Sequence, residues 1–269
     1  MTPSRPVIES VRVLANERLS SGVGLLVLDA PRTSAQVRPG QFVHLRIAAG
    51  IDTILRRPFS VHRAHGGRLE ILYQILGAGT LRIAEKQVGD ASMDIVGPLG
   101  TGWDVDADVD HALVVAGGLG AAPMGMLVEH LAARGVATVI AQGAPTAARL
   151  VARELFEEVS RRYECATDDG SVGECGLVTA LTARLLGSER FDVVYCCGPE
   201  AMQRAVARQA LDHGVRCQVS LERLMACGVG ACLSCVVSTS AGLKRACVDG
   251  PVFEAEEVCW SSDEIPPRH

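Results

Sequence analysis

The chain has 269 residues, 48% hydrophobic and 21% charged, an ordinary globular composition that excludes a disordered protein. With 26 basic and 31 acidic residues the net charge is -5, so neither a nucleic-acid nor an anionic-membrane footprint is supported. Met1 to Glu9 lacks the basic and apolar regions of a signal peptide, and the longest uncharged run, Ala112 to Val128, is short and rich in glycine. The expectation is a soluble, cytoplasmic protein of about two domains.

The first hundred residues read as β structure. Polar and apolar residues alternate over Phe42–Ile47, which predicts a half-buried strand after the Pro39-Gly40 turn. Further strands are expected at Gly24–Leu28, Val61–Arg63 and Leu69–Leu76, together an antiparallel barrel or sandwich that ends at Gly97-Pro98-Leu99-Gly100. The acidic stretch Asp104–Asp110 links it to the next unit. From His111, apolar runs at Ala112–Ala116, Val136–Ala141 and Asp192–Cys196 alternate with helical patterns. Leu127, Leu131 and the closing Gly135 mark one helix; Leu177, Leu181, Leu185 and the closing Gly187 mark another. This rhythm predicts an α/β domain with a parallel sheet. From Ser220, cysteines and small residues dominate a segment too short for a core of its own, and the tail Ser261–His269 is expected to fray. The boundaries are therefore 1–103, 104–219 and 220–269.

The chain has 10 cysteines, and Cys227, Cys232, Cys235 and Cys247 are spaced C-x4-C-x2-C-x11-C. The first three match plant-type [2Fe-2S] spacing, with a fourth thiolate downstream. Gly228, Gly230 and Ala231 keep the loop narrow, so that backbone N–H groups can face the sulfurs. The competing reading is zinc, which prefers two short pairs of ligands. Cys165, Cys175, Cys196, Cys217 and Cys259 read as small buried residues.

Two other patterns suggest phosphate contacts. In Arg57-Pro58-Phe59-Ser60, an arginine near a short hydroxyl residue can hold a pyrophosphate and bond a ring nitrogen. Downstream, Leu72-Tyr73-Gln74 precedes Gly77-Ala78-Gly79-Thr80, where Gly79 and Thr80 offer donors; Arg56 reads as a neighbouring surface charge. The bland reading is a solvated arginine pair and an ordinary turn. In the α/β segment, a strand leads into Gly117-Gly118-Leu119-Gly120-Ala121-Ala122-Pro123, the order of a dinucleotide site. Gly118 and Gly120 fit the first two positions of G-x-G-x-x-G, but Pro123 occupies the third. Cys197-Gly198-Pro199 closes a later strand and opens a helix.

Together these motifs resemble the ferredoxin–NADP reductase-like flavoproteins, whose R-x-Y-[ST] motif reads Arg57-Pro58-Phe59-Ser60 here, with Phe in the Tyr place. A closer resemblance is to the electron-transfer subunits of class 1B dihydroorotate dehydrogenase. It rests on Arg56-Arg57-Pro58, Gly77-x-Gly79-Thr80, Gly97–Gly100, Asp168-Asp169-Gly170-Ser171, Glu222–Cys235 and Cys247–Phe253. The resemblance implies FAD at Arg57, Pro58, Phe59, Ser60, Leu72, Tyr73, Gln74, Gly79 and Thr80. It implies NAD over Gly117, Gly118, Gly120, Pro123, Cys197, Gly198 and Pro199, and a [2Fe-2S] cluster on the four cysteines. It further implies a heterotetramer, two plus two, with an FMN-bearing catalytic subunit that oxidises dihydroorotate in pyrimidine biosynthesis. The residues themselves leave NAD and NADP both open. Two other readings stand beside it: an NAD(P)H reductase feeding a ferredoxin, sulfur acceptor or oxygenase, and a non-enzymatic module stapled by zinc. Leu224, Met225, Val229 and Leu233 lie among the cysteines, an apolar density expected of a docking face.

Overall fold

The computed structural model describes residues 5–20, 22–47, 54–105 and 108–260. Its N-terminal part is one antiparallel sheet made of β1 (Val7–Ser20), β2 (Val23–Asp29), β3 (Phe42–Arg46), β4 (Arg57–Ser60), β5 (Arg63–His65), β6 (Arg68–Gln74) and β7 (Met93–Leu99). The short helices α1 (Pro31–Ser34) and α2 (Ala78–Ala84) lie in its connections. The strand order is β4-β3-β7-β1-β2-β6-β5. β4 and β5 are on opposite edges but only two residues apart in sequence, so the sheet must roll until its edges meet. At that step the Val61 N–H bonds the Gln41 carbonyl at 3.1 Å and the His62 N–H bonds the Glu70 carbonyl at 2.8 Å. The strand expected over Val61–Arg63 is therefore a change of partners, not a strand.

The second sheet contains β8 (His111–Gly117), β9 (Ala137–Ala144), β10 (Arg162–Thr167), β11 (Glu174–Cys175), β12 (Val193–Cys197) and β13 (Arg216–Ser220), all parallel. The helices α3 (Gly125–Ala133), α4 (Arg153–Val159), α5 (Val178–Ser188) and α6 (Glu200–Asp212) cover it. On β8, Ala112, Val114 and Ala116 pack with α3 and α4, whereas Leu113 and Val115 pack with α5 and α6. Both faces are thus buried, which explains the unbroken apolar run. α5 starts at Val178, leaving Leu177 exposed, and runs through Gly187 to Ser188.

The cysteine segment has no separate core. It forms a hairpin of β14 (Val236–Thr239) and β15 (Gly242–Arg245), and then β16 (Val252–Glu254) joins the parallel sheet antiparallel to β13. The order of that sheet is β11-β10-β9-β8-β12-β13-β16. Phe42 and Leu99 of the first sheet share one apolar cluster with Cys235, Cys247 and Phe253. The Thr101 N–H bonds the Gly250 carbonyl at 2.6 Å, a direct weld between the first sheet's exit and the cysteine segment. β3 is consequently buried on both sides, with Val43 and Leu45 facing the barrel core and Phe42 facing the cysteine segment. His44, expected on a half-exposed face, is fully buried.

A second weld joins the first sheet to the parallel one. The Trp103 ring meets Tyr195 edge-on at 5.6 Å, and its Nε1–H donates to the Pro123 carbonyl at 3.3 Å. His62 places Nδ1 2.9 Å from the Ala122 carbonyl, while its own carbonyl accepts from the Met126 N–H at 2.8 Å. Burial pushes the His62 pKa down from 6.5 to about 4, with the Ala122 carbonyl opposing and Arg63 adding to the shift. Between those two values the unfolded chain binds a proton that the native imidazole refuses, so stability falls as pH drops from about 6.5 to about 4. A shift of this size corresponds to roughly 3 kcal/mol. Urea-unfolding midpoints measured across that range should decline in the wild type and decline less steeply in His62→Gln; parallel slopes would refute the assignment.

Candidate functional site

The loop between Ala226 and Ser234 is shaped around sulfur. The Cys227 Sγ accepts from the Val229 and Cys232 N–H groups, each at 3.4 Å, and the Cys247 Sγ accepts from the Gly230 N–H at 3.2 Å. The thiols influence one another two by two, Cys227 acting on Cys232 and Cys235 on Cys247. Among the described residues no three metal-donor side chains gather as a single-ion site. Two pairs bridged by a loop suit a dinuclear cluster, one iron to each pair, better than a tetrahedral zinc ion. Bonds from Ser234 and then Cys227 hold the exposed Cys232 thiol down at about 6, whereas burial and the neighbouring Cys235 push Cys247 up to about 12. Gly228 and Gly230 both have positive φ, 70° and 81°. A Cβ on Gly228 would come 2.6 Å from His44 Nδ1, and one on Gly230 would come 2.7 Å from Val248 Cγ2. Leu233 also sits in the left-handed region, at φ 59°, and is exposed, as are Leu224 and Val229; Met225 packs inward.

β4 lies beside β3, with His44 opposite Pro58 and Leu45 opposite Arg57. The Arg57 guanidinium crosses to the start of α2, where a Cβ on Gly79 would meet its Nε at 2.9 Å. Glycine thus leaves a cradle in which a cation and the first turn of a helix converge, a suitable surface for pyrophosphate. The Thr80 hydroxyl accepts from the Leu76 and Gly77 N–H groups and donates to the Gly77 carbonyl, so it shapes that turn. The Leu72 and Tyr73 side chains are buried, and the Tyr73 hydroxyl donates to Asn16 at 2.9 Å. Phe59, Ser60 and Gln74 remain half-buried. Arg56 is no surface charge. It pairs with buried Asp94, which Arg46 also meets, and it donates to the His44 carbonyl at 3.3 Å. Burial lowers the His44 pKa, with the Cys227 backbone opposing and Arg56 and Arg57 reinforcing.

The two glycine motifs of the parallel sheet meet at one point. β8 continues to β9 on one side and neighbours β12 on the other, so the strand order reverses between their carboxyl ends, where such sheets bind ligands. Gly117 ends β8, Gly118–Met124 winds as a tight helical turn, and Cys197 ends β12. A Cβ on Gly120 would overlap the Cys197 carbonyl, and one on Gly198 would come 3.0 Å from the Gly117 Cα. Glycine backbone lines the crevice, with the Met202 side chain packed against Gly117 and Gly198. The Cys197 thiol points away, donating to the Ser220 carbonyl at 3.6 Å, and burial followed by Glu222 pushes its pKa up to about 12. It is a packing group and no nucleophile. His44, His62 and Asp94 are not marked by any sequence motif, and nothing local pairs Arg56 with Asp94, because these partners lie far away in the chain.

A rolled antiparallel sheet with a cationic cradle, a parallel sheet with a backbone-lined crevice, and a paired-thiol loop define a ferredoxin-reductase-type flavoprotein that carries an iron–sulfur segment. Residues 222–259 match the family profile of the iron-sulfur cluster binding domain of dihydroorotate dehydrogenase B, and residues 114–208 match the oxidoreductase NAD-binding domain. The electron transfer subunit of dihydroorotate dehydrogenase B (NAD(+)) from Bacillus caldolyticus is 40% identical over 262 residues, covering 94% of this chain and 97% of its own. The same subunit from Desulforamulus reducens is 36% identical over 255 residues, covering 93% and 97%. The chain belongs to the family of dihydroorotate dehydrogenase B electron transfer subunits. A solved structure of the NADH-dependent reduced ferredoxin-NADP oxidoreductase is 31% identical with a TM-score of 0.85, covering 94% of this chain and 90% of that one. The ferredoxin NADP+ reductase of Neisseria gonorrhoeae, solved with FAD and NADP, shares the fold at 18% identity and a TM-score of 0.65, covering 77% of this chain and 92% of its own.

Arg57→Ala should weaken FAD retention about ten- to a hundredfold, the worth of a charge-assisted bond of about 1.5–3 kcal/mol. Arg56→Ala should instead lower the thermal midpoint, because it strips a cation from buried Asp94. Equal flavin loss at equal stability in the two variants would remove the phosphate role of Arg57. Cys232→Ser should lose iron and acid-labile sulfide while FAD is retained; zinc without labile sulfide in the wild type would overturn the cluster assignment.

Proposed function

We propose that this chain carries electrons between NAD and an FMN-bearing catalytic subunit that oxidises dihydroorotate to orotate, in a cytoplasmic heterotetramer, two plus two, serving pyrimidine synthesis. The observation that supports it best is that the sheet carrying Arg57 is joined to the cysteine segment through Thr101 and Gly250, and to the Gly118–Met124 turn through His62 and Trp103. Residues 1–103 would take FAD, 104–219 NAD and 220–269 the cluster. Among the described residues, no helix is long and apolar enough to cross a membrane.

Bound FAD would supply chemistry that links the two-electron exchange of nicotinamide to the one-electron exchange of a [2Fe-2S] cluster. The protein's own residues position these groups. Arg57 and the backbone at Gly79 would hold the flavin pyrophosphate, with the Thr80 cap fixing the turn. Pro58, Phe59, Ser60 and Gln74 would frame the flavin, while Leu72 and Tyr73, whose side chains pack inward, would contribute backbone. Gly117, Gly118, Gly120, Pro123, Cys197, Gly198 and Pro199 would let the nucleotide approach the sheet. Cys227 with Cys232, and Cys235 with Cys247, would hold the two irons. A second reading, a reductase with another partner, is favoured by the 31% identity to the NADH-dependent ferredoxin oxidoreductase.

The readings separate on co-purification with the candidate catalytic subunit, followed by assay of dihydroorotate-dependent NAD reduction. Turnover supports the proposal, and a complex inert to dihydroorotate contradicts it. Leu224, Val229 and Leu233 are exposed beside the cysteines, and an apolar patch there fits a partner face. Val229→Glu should leave both cofactors and NADH-to-dye reduction unchanged. It should weaken the complex, since an uncompensated carboxylate at an interface costs about 2–5 kcal/mol. Undiminished turnover in the complex would move the interface elsewhere.

A further inference from the structure

His44 is the one histidine among the described residues packed against the cysteine loop. It is fully buried, on the outer face of β3, and neither ring nitrogen has a hydrogen-bond partner. Its Nδ1 would lie 2.6 Å from a Cβ on Gly228, the residue after Cys227, so the loop closes on the ring and only glycine permits it. A buried N–H without an acceptor is costly, and native proteins seldom leave one. The nearest groups able to accept are those of the loop itself. The Cys227 carbonyl approaches the ring closely enough to oppose its pKa shift but does not complete a hydrogen bond, whereas a cluster on the four cysteines would bring anionic sulfur to this wall.

We propose that His44 is a positioning residue for the cluster, an imidazole that donates a ring N–H to the sulfur shell at Cys227 and so raises the cluster's potential. This rests on the assignment of [2Fe-2S] to the four cysteines. Reduction adds negative charge to the sulfurs, so a donor stabilises the reduced form, and loss of the donor lowers the midpoint potential. The same strand carries Leu45 opposite Arg57, so the ring that meets the loop is anchored to the flavin-side sheet.

The test uses the purified holoprotein, first checked for iron, labile sulfide and FAD. Redox titration with low-temperature electron paramagnetic resonance of the reduced cluster compares the wild type with His44→Phe and His44→Gln. The expected result is a lower cluster potential and altered g-values in His44→Phe, partial rescue by His44→Gln, and an unmoved flavin potential. Protein labelled with 15N-histidine should show a nitrogen coupling to the reduced cluster that both variants lack. Should His44→Phe fail to hold its cluster, the labelled wild type decides, and absence of that coupling overturns the proposal. Unchanged potential and g-values in His44→Phe overturn it too, as does an equal shift at the flavin, which marks a general loosening of the junction. A wild type without cluster signal refutes the cysteine assignment itself, and with it this role; a normal cluster indifferent to His44 refutes this role alone.

Discussion

β3 is five residues long and buried on both faces, and the rest of the molecule is arranged around that constraint. Its inner side chains, Val43 and Leu45, complete the barrel core, while Phe42 and His44 meet the cysteine segment. Its ladder to β4 fixes where Arg57 emerges. A slip of one residue in that register would exchange the two faces, moving His44 into the barrel and Val43 onto the loop. The Arg57 strand and the cysteine loop are therefore placed by a single register, reinforced by the Thr101–Gly250 weld and by the Arg56–Asp94 pair beside it.

The nucleotide side is fixed by a different means. Where β8 and β12 end, Gly120 packs on the Cys197 backbone and Gly117 and Gly198 pack on each other and on Met202, so added side chains there would collide. The crevice stays in step with the barrel because His62 and Trp103 reach the carbonyls of Ala122 and Pro123, within the same turn that lines it. Cys197 and Tyr73 belong to this economy of packing: their positions suit a ligand site, but their side chains hold sheets together.

What could be read from the chain followed from local physics. The x4-x2 cysteine spacing, the Arg57 to Ser60 segment and the glycine turns after β8 and β12 are short-range patterns, and each falls at an expected kind of place in the fold. Long-range partners carried no such mark. Alternation over Phe42–Ile47 suggested a half-exposed strand, since nothing local says that a segment 180 residues downstream will cover the polar face. Arg56 looked solvated because Asp94 is remote in sequence. The β1 strand has no local signature, because its long, charge-dotted course lacks a clean alternation, and its bulged pairing with β2 accommodates that irregularity. Val61–Arg63 has strand-like residues but lies where the rolled sheet closes.

A series arrangement makes one demand: electrons from nicotinamide should reach the cluster only through the flavin. Anaerobic titration of the isolated holoprotein with NADH, followed by electron paramagnetic resonance, measures this directly. The reduced-cluster signal should appear with NADH in flavin-replete protein. In flavin-depleted protein it should be absent with NADH and restored by dithionite. A cluster reduced by NADH without flavin, or one that NADH leaves oxidised in flavin-replete protein although dithionite reduces it, would contradict the series arrangement.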